Sequence, residues 1–243
     1  MSPIKEIQGL EMPPEVQAKM QKASNVLIAE SDVQDLRYVP LCAKGYWMVK
    51  RLLDIVFAIA GLAVLLIPMA LLGVMIFLDD PGPVIFTQYR IGRNGKRFRF
   101  YKFRTMKGNA PKYMATAEME EPSRYITRLG RFLRKTSLDE LPQLINVLKG
   151  DMSLIGPRPL ISDEYEIHTM RMRFGVYQLR PGVTGLAQIN GRDTVLPAEK
   201  VHWYVQYLNE FSFMEDLRIM LTTIPRVFGG SNVVEGKNSG NES

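Results

Sequence analysis

The chain has one cysteine, Cys42, and two histidines, His168 and His202, among its 243 residues. A lone cysteine excludes an internal disulfide and suits a reducing compartment. Two histidines far apart in sequence do not give the close ligand spacing of a zinc site, which leaves both as structural or surface residues. Charge is missing from one whole stretch: Leu52 to Leu78 carries only Asp54, and Ile55 to Leu78 carries none. Because this stretch lies about fifty residues in and no basic n-region precedes it, it is not a cleaved signal peptide and stays in the mature protein. No internal repeat is apparent.

The uncharged run is long enough to cross a bilayer as a helix. Pro68 stands near its middle, where proline removes one backbone hydrogen bond and predicts a kink. Two geometries follow: a kinked spanning helix, or a helix-break-helix that enters and leaves by the same face. Lys50 and Arg51 flank one end; beyond Asp79 and Asp80 lie Arg90, Arg93, Lys96, Arg97, Arg99, Lys102 and Arg104. Positive charge at both ends favours the re-entrant form with both ends cytoplasmic. A net charge of +6 and a pI of about 9.4 suit nucleic acid or an anionic surface. Beside an apolar anchor, membrane lipid is the expected partner and nucleic acid is not. Asp54 beside Arg51 reads as a local cap or pair.

Turn and periodicity signals divide the chain into a polar arm at 1–45, an anchor at 46–80, a domain at 81–228 and a disordered tail at 229–243. Asp79-Asp80-Pro81-Gly82-Pro83 ends the anchor helix. Val84 to Tyr89 and Arg97 to Phe103 read as the strands of a hairpin turning at Ile91 to Lys96. Lys107 to Pro122 reads as a polar connection. Arg124 to Lys135 is a basic amphipathic element of the kind that lies on a membrane surface. Leu138 to Lys149 reads as one helix with Pro142 in its first turn and Gly150 at its end. Lys200 to Leu208 and Glu215 to Phe228 are two further helices. Gly156-Pro157-Arg158-Pro159 and Arg180 to Gly185 are rigid loops, each holding one arginine able to grip a phosphate. The fold class read from these signals is mainly α with a small β-hairpin: a membrane helix, spanning or, as the flanking charge favours, re-entrant, joined to a compact cytoplasmic α/β domain with interfacial amphipathic helices.

The candidate chemistry lies at Asp139 and Glu140, which follow Arg131, Arg134 and Lys135 at the expected start of the helix from Leu138. A helix N-terminus keeps a carboxylate ionised and favours an anion nearby, so two carboxylates beside three cations suggest phosphate chemistry. Ser137 and Glu140 also have capping-box spacing, which needs no chemistry at all. On these residues alone, a membrane-anchored interaction protein that docks anionic lipid or a partner stays open beside an enzyme.

Several motifs occur in order: Lys50-Arg51-Leu52-Leu53-Asp54, Pro81-Gly82-Pro83, Lys102-Phe103-Arg104-Thr105-Met106, and Ser137-Leu138-Asp139-Glu140-Leu141-Pro142-Gln143. Gly150-Asp151-Met152-Ser153, Gly156-Pro157-Arg158-Pro159 and Pro181-Gly182-Val183-Thr184-Gly185-Leu186-Ala187-Gln188 complete the series. Over about residues 48 to 228 this set closely resembles the bacterial sugar transferases, the monotopic phosphoglycosyl transferases. The resemblance implies transfer of a sugar-1-phosphate from a UDP-sugar to undecaprenyl phosphate at the cytoplasmic face of the bacterial inner membrane. It implies a covalent aspartyl intermediate, release of UMP, and a role in starting exopolysaccharide, capsule, O-antigen or other glycoconjugate synthesis. It also implies the re-entrant anchor turning at Pro68, with Asp139 as nucleophile and Glu140 as a Mg²⁺ ligand. Arg134 and Arg158 are the candidate phosphate and nucleotide binders, followed by Lys102 and Arg104. A membrane homodimer fits the pattern. No residue identifies the sugar, although the compact length looks closest to members that use modified N-acetylhexosamines.

Overall fold

The computed structural model describes residues 45–110, 122–162, 164–191 and 197–229. The expected arm, the expected tail and most of the connection between Lys107 and Pro122 lie outside the described residues. Helix α1, Tyr46–Asp79, is the one helix among those described that is long and apolar enough to cross a membrane. Leu52, Val56, Ile59, Val64, Leu66, Ile67, Leu71, Val74 and Leu78 are exposed along it. It runs on through Pro68 as one helix, without the non-helical interruption of a helix-break-helix. Proline removes a single i to i−4 bond, and an uninterrupted apolar sequence keeps the bonds on either side.

Both halves of α1 pack on the same domain. Ala58 is buried with Phe98, Phe100, Val147 and Met152, and a Cβ added at Gly61 would meet Leu144 at 3.2 Å. Further along, Ile76 is buried with Phe103 and Leu133, while Met69 and Leu72 lie against the same cluster. The root of α1 is fastened by polar contacts as well. Lys50 Nζ lies 2.6 Å from Asp216, which also accepts from Tyr46 at 2.9 Å and from Tyr207 at 2.6 Å. Asp54 accepts from the Ser153 hydroxyl at 3.0 Å and the Leu154 N–H at 2.9 Å. It thus ties the anchor to the domain instead of pairing with Arg51, which donates to the carbonyls of Val147 and Leu148.

After the Pro81-Gly82-Pro83 turn, β1 (Ile85–Ile91) pairs antiparallel with β2 (Arg97–Phe103), in register from Ile85 with Phe103 to Ile91 with Arg97. The hairpin lies where alternation placed it. Its Arg93–Gly95 turn requires positive φ at Asn94 and Gly95, residue types that accept it. Helix α2, Arg128–Thr136, is shorter than the expected element and starts at Thr127, whose side chain accepts from the Gly130 N–H at 2.9 Å. Leu133 is buried, whereas Phe132 remains on the exposed side.

The expected helix from Leu138 to Lys149 is divided. Leu138–Glu140 forms a 3₁₀ turn, and helix α3 occupies only Gln143–Lys149. Pro142 cannot donate to Leu138, so the α ladder starts after it. Ser137 has φ 56° and closes the C-terminus of α2, its N–H directed to Arg134 and Leu133; its side chain does not cap the turn. The capping-box reading is therefore wrong for this chain, because a residue in the left-handed region cannot take the extended N-cap conformation.

A parallel pair that sequence periodicity did not anticipate joins β3 (Ser153–Ile155) to β4 (Gly182–Thr184). Three-residue strands carry too little pattern to be seen. A Cβ at Gly182 would come within 2.1 Å of the Gly156 N, so only glycine permits this approach of the two proline-rich loops. Helices α4 (Tyr165–Arg173), α5 (Leu186–Ile189), α6 (Pro197–Asn209) and α7 (Phe213–Gly229) complete the domain. Tyr204, Tyr207 and Ile219 are core, as is His168, which is held between the Tyr177 hydroxyl and the Ile161 carbonyl; His202 is exposed.

Candidate active site

Asp139 is buried, with 7% exposure, in the short turn between α2 and α3. The turn packs on β2, and its flanking Leu138 and Leu141 lie against the Ile76 end of α1. The carboxyl pair therefore sits beside the foot of the anchor. Lys102 belongs to the inward face of the hairpin, half-buried over the Phe86 ring at 5.2 Å, and its charge acts on Asp139. Arg134 also acts on Asp139, and its Nε donates to Thr105 Oγ1 at 2.8 Å. Thr105 can hold that contact because Gly130 lets α2 lie directly on its carbonyl: an added Cβ would sit 2.1 Å from that oxygen.

Arg90, the inward residue two pairs from Phe86 on β1, completes the cluster. It donates to the Pro159 carbonyl at 3.2 Å, lies over Phe100 at 5.3 Å, and feels both Arg158 and Glu140. Sequence analysis counted Arg90 only in the basic run. The pairing of Arg90 with Phe98 and Phe86 with Lys102 places Arg90 and Lys102 on one face of the hairpin, and counting alternation from Lys102 would have found it. Arg134 and Lys102 thus act directly on Asp139, whereas Arg158 acts on Arg90. Arg104 is directed elsewhere: it donates to the Asp80 carbonyl, and its guanidinium is 3.4 Å from the Asp80 carboxylate, where it fastens the exit of α1. Arg131 and Lys135 lie on the exposed side of α2.

The electrostatics differ from the helix-terminus expectation. Burial pushes the Asp139 carboxyl up to about 6, with Glu140 adding repulsion, while Lys102 and Arg134 hold it lower than burial alone would. The turn is too short for a helix field to keep it ionised. Lys102 is itself pushed down to about 8 by desolvation and by the neighbouring Arg134 and Arg90, with Asp139 opposing. Burial and Arg158 lower Arg90 to about 10. Four cations crowded this closely repel one another, and an anionic substrate would relieve that repulsion.

Among the described residues no group of three or more His, Cys, Asp or Glu side chains could hold a metal ion. Two adjacent carboxylates, one disfavoured as an anion by the other, nevertheless suit a magnesium ion that takes its remaining ligands from phosphate and water.

An apolar helix set beside a carboxylate pair on which Lys102 and Arg134 act is the equipment of a membrane-associated group-transfer enzyme. The model of the family described as Bacterial sugar transferase matches residues 45–230, and the chain belongs to that family; it is an enzyme, a phosphoglycosyl transferase. It is 44% identical to the galactosyl transferase CpsE of Streptococcus agalactiae over 77% of this chain and 44% of that protein. It is 41% identical to the UDP-glucose:undecaprenyl-phosphate glucose-1-phosphate transferase of Caulobacter vibrioides, over 75% of this chain and 71% of the relative. Identity to the undecaprenyl-phosphate galactose phosphotransferase of Salmonella typhimurium is 40%, over 75% and 41%. The chain therefore spans less than half the length of the streptococcal and Salmonella relatives.

Proposed function

We propose that this enzyme transfers a sugar-1-phosphate from a UDP-sugar to undecaprenyl phosphate through a covalent intermediate on Asp139. The observation that carries this reading is the buried carboxylate of Asp139, acted on by Lys102, Arg134 and its neighbour Glu140, with Arg90 in turn acting on Lys102. The names of the Caulobacter and Salmonella relatives specify undecaprenyl phosphate, and the former also a UDP-sugar. An oxygen of Asp139 attacks the sugar-side phosphorus, and the bond from that phosphorus to the bridging oxygen breaks. UMP leaves with the electron pair. A phosphate oxygen of the lipid then attacks the same phosphorus, which releases the Asp139 carboxylate and leaves a polyprenyl diphosphate sugar. Dividing the exchange into two displacements lets the soluble and the lipid substrate use the site in turn. Arg134 and Lys102 neutralise the phosphoryl group under attack, and Arg90 and Arg158 hold the nucleotide phosphate. Glu140 and Asp139 would hold Mg²⁺, whose contribution when bound is to neutralise the diphosphate and favour loss of UMP.

The test is release of UMP from UDP-glucose, UDP-galactose and UDP-N-acetylhexosamines by purified protein with Mg²⁺ and polyprenol phosphate. No UMP from any of them would end the proposal. Glu140→Gln is expected to raise the Mg²⁺ concentration needed for half-maximal rate about ten-fold and to slow turnover; an unchanged Mg²⁺ titration would remove it from the metal site. Because the nucleophile must be ionised, activity is expected to rise as pH increases through about 6. Lys102→Met removes a charge that lowers the Asp139 pKa, so the acid limb moves to higher pH, by roughly one unit. An unmoved limb would show that the limb reports another group.

For the anchor, the proposal is a re-entrant helix at the cytoplasmic face of the inner membrane. A straight 34-residue helix would be about 51 Å long, and only one end of a spanning helix can meet a domain on one side of the bilayer. Contact of both halves with the same domain supports entry and exit by one face. With Cys42→Ser as background, cysteines at Gly45 and Asp79 are expected to react with an impermeant maleimide from the same side. Labelling from opposite sides would establish a spanning helix.

A further inference from the structure

A second cationic cluster lies at the other end of the anchor. A small open cleft at the root of α1 is lined by Trp47, Lys50, Arg51, Asp54, Arg93 and Arg180. It shares no lining residue with the Asp139 cluster. Both nearby carboxylates are engaged: Asp216 with Lys50, and Asp54 with Ser153 and Leu154. Among the described residues none of the three arginines forms an ion pair with a carboxylate. Arg51 donates to the carbonyls of Val147 and Leu148, and the Arg180 Nε donates to that of Gly150 at 2.9 Å. These contacts close the C-terminus of α3 and leave formal charge uncompensated. The Arg93 guanidinium lies 5.6 Å over the Trp47 ring, and its buried Nε has no hydrogen-bond partner among the described residues. Burial lowers the Arg180 pKa, with repulsion from Arg93 and Arg51 adding to it and Asp54 partly opposing it.

We propose that this cleft binds the phosphate of an anionic phospholipid headgroup, at a site separate from the one that handles substrate phosphates. Three guanidinium groups offer the planar donors that suit a phosphate diester. The rim selects a lipid over a free anion. Trp47, which lines the cleft, is partly exposed at the first turn of the apolar helix, the level at which tryptophan meets headgroups. Inorganic phosphate shares the charge but has no use for that apolar margin. A lipid held here fixes the depth of the anchor root, while the turn carrying Asp139 packs against the opposite end of α1.

The test uses the full-length protein purified from nanodiscs of phosphatidylcholine with or without phosphatidylglycerol, with retained lipid counted by native mass spectrometry. No donor sugar is present, so the result is independent of the transfer reaction. Phosphatidylglycerol is expected to be retained over phosphatidylcholine, and Arg93→Gln is expected to lower its retention about five-fold, with Arg93→Lys largely restoring it. Trp47→Leu, on the rim, gives a second reading with an expected loss of about two-fold. Millimolar inorganic phosphate should not displace the lipid. Equal retention of the two lipids, unchanged retention in either the Arg93→Gln or the Trp47→Leu variant, or displacement by inorganic phosphate would overturn the assignment.

Discussion

Asp139→Asn is expected to cut UMP release and lipid-linked product by about 10³-fold or more, because an amide in place of the proposed nucleophile cannot form the acyl phosphate. The same variant is expected to be more stable than its parent. The Asp139 carboxyl is held up at about 6 by burial and by Glu140, so the folded state binds that proton more tightly than the unfolded chain does. Stability therefore falls as pH rises from the ordinary carboxylate range, about 4, through about 6. An amide in the same place removes this cost. In metal-free buffer the melting temperature of Asp139→Asn should exceed that of the parent above pH 6, and the difference should close below about pH 4. An inactive variant that melts lower would point to misfolding, and full turnover would show that Asp139 is not the nucleophile.

The second large effect is on stability. Asp216→Asn leaves Lys50 buried beside a neutral amide and takes the charge from an acceptor shared by Tyr46 and Tyr207. Removing one partner of a buried pair costs about 3–5 kcal/mol. Denaturant unfolding of the detergent-solubilised protein should show that loss. The double replacement Lys50→Met with Asp216→Leu should recover a large part of it, since an apolar pair of similar volume removes the uncompensated charge. A loss below about 1 kcal/mol for Asp216→Asn would mean that the root of α1 is held by its apolar contacts alone.

Much of this architecture was legible before the structure. The uncharged run from Ile55 to Leu78, the hairpin, and the helices before and after Ser212 all follow from period and punctuation in the sequence. The motif series was sufficient to indicate the family, and the family model agrees over residues 45–230. Local rules failed where two of them competed. Ser137 has the composition of an N-cap and the spacing of a capping box, yet α2 ends on it in the left-handed region, and Pro142 delays the next helix to Gln143. What looked like a helix N-terminus is a buried turn, and its carboxylate is harder to ionise than usual instead of easier.

By itself the sequence determined what is covalent or periodic: an apolar anchor, a pair of adjacent carboxylates, a basic balance and the order of the motifs. Which charges face which was decided only by tertiary structure. Arg104, two residues from Lys102, turns to Asp80, whereas Arg90, twelve residues away across the hairpin, joins Lys102 beside Asp139. The cations at the root of the anchor divide in the same way: Lys50 pairs with Asp216, and Arg51, Arg93 and Arg180 converge with no ion pair among the described residues. The physical reason is range. Periodicity acts over a few residues, while desolvation and Coulomb repulsion depend on which segments the packed core brings within a few ångströms.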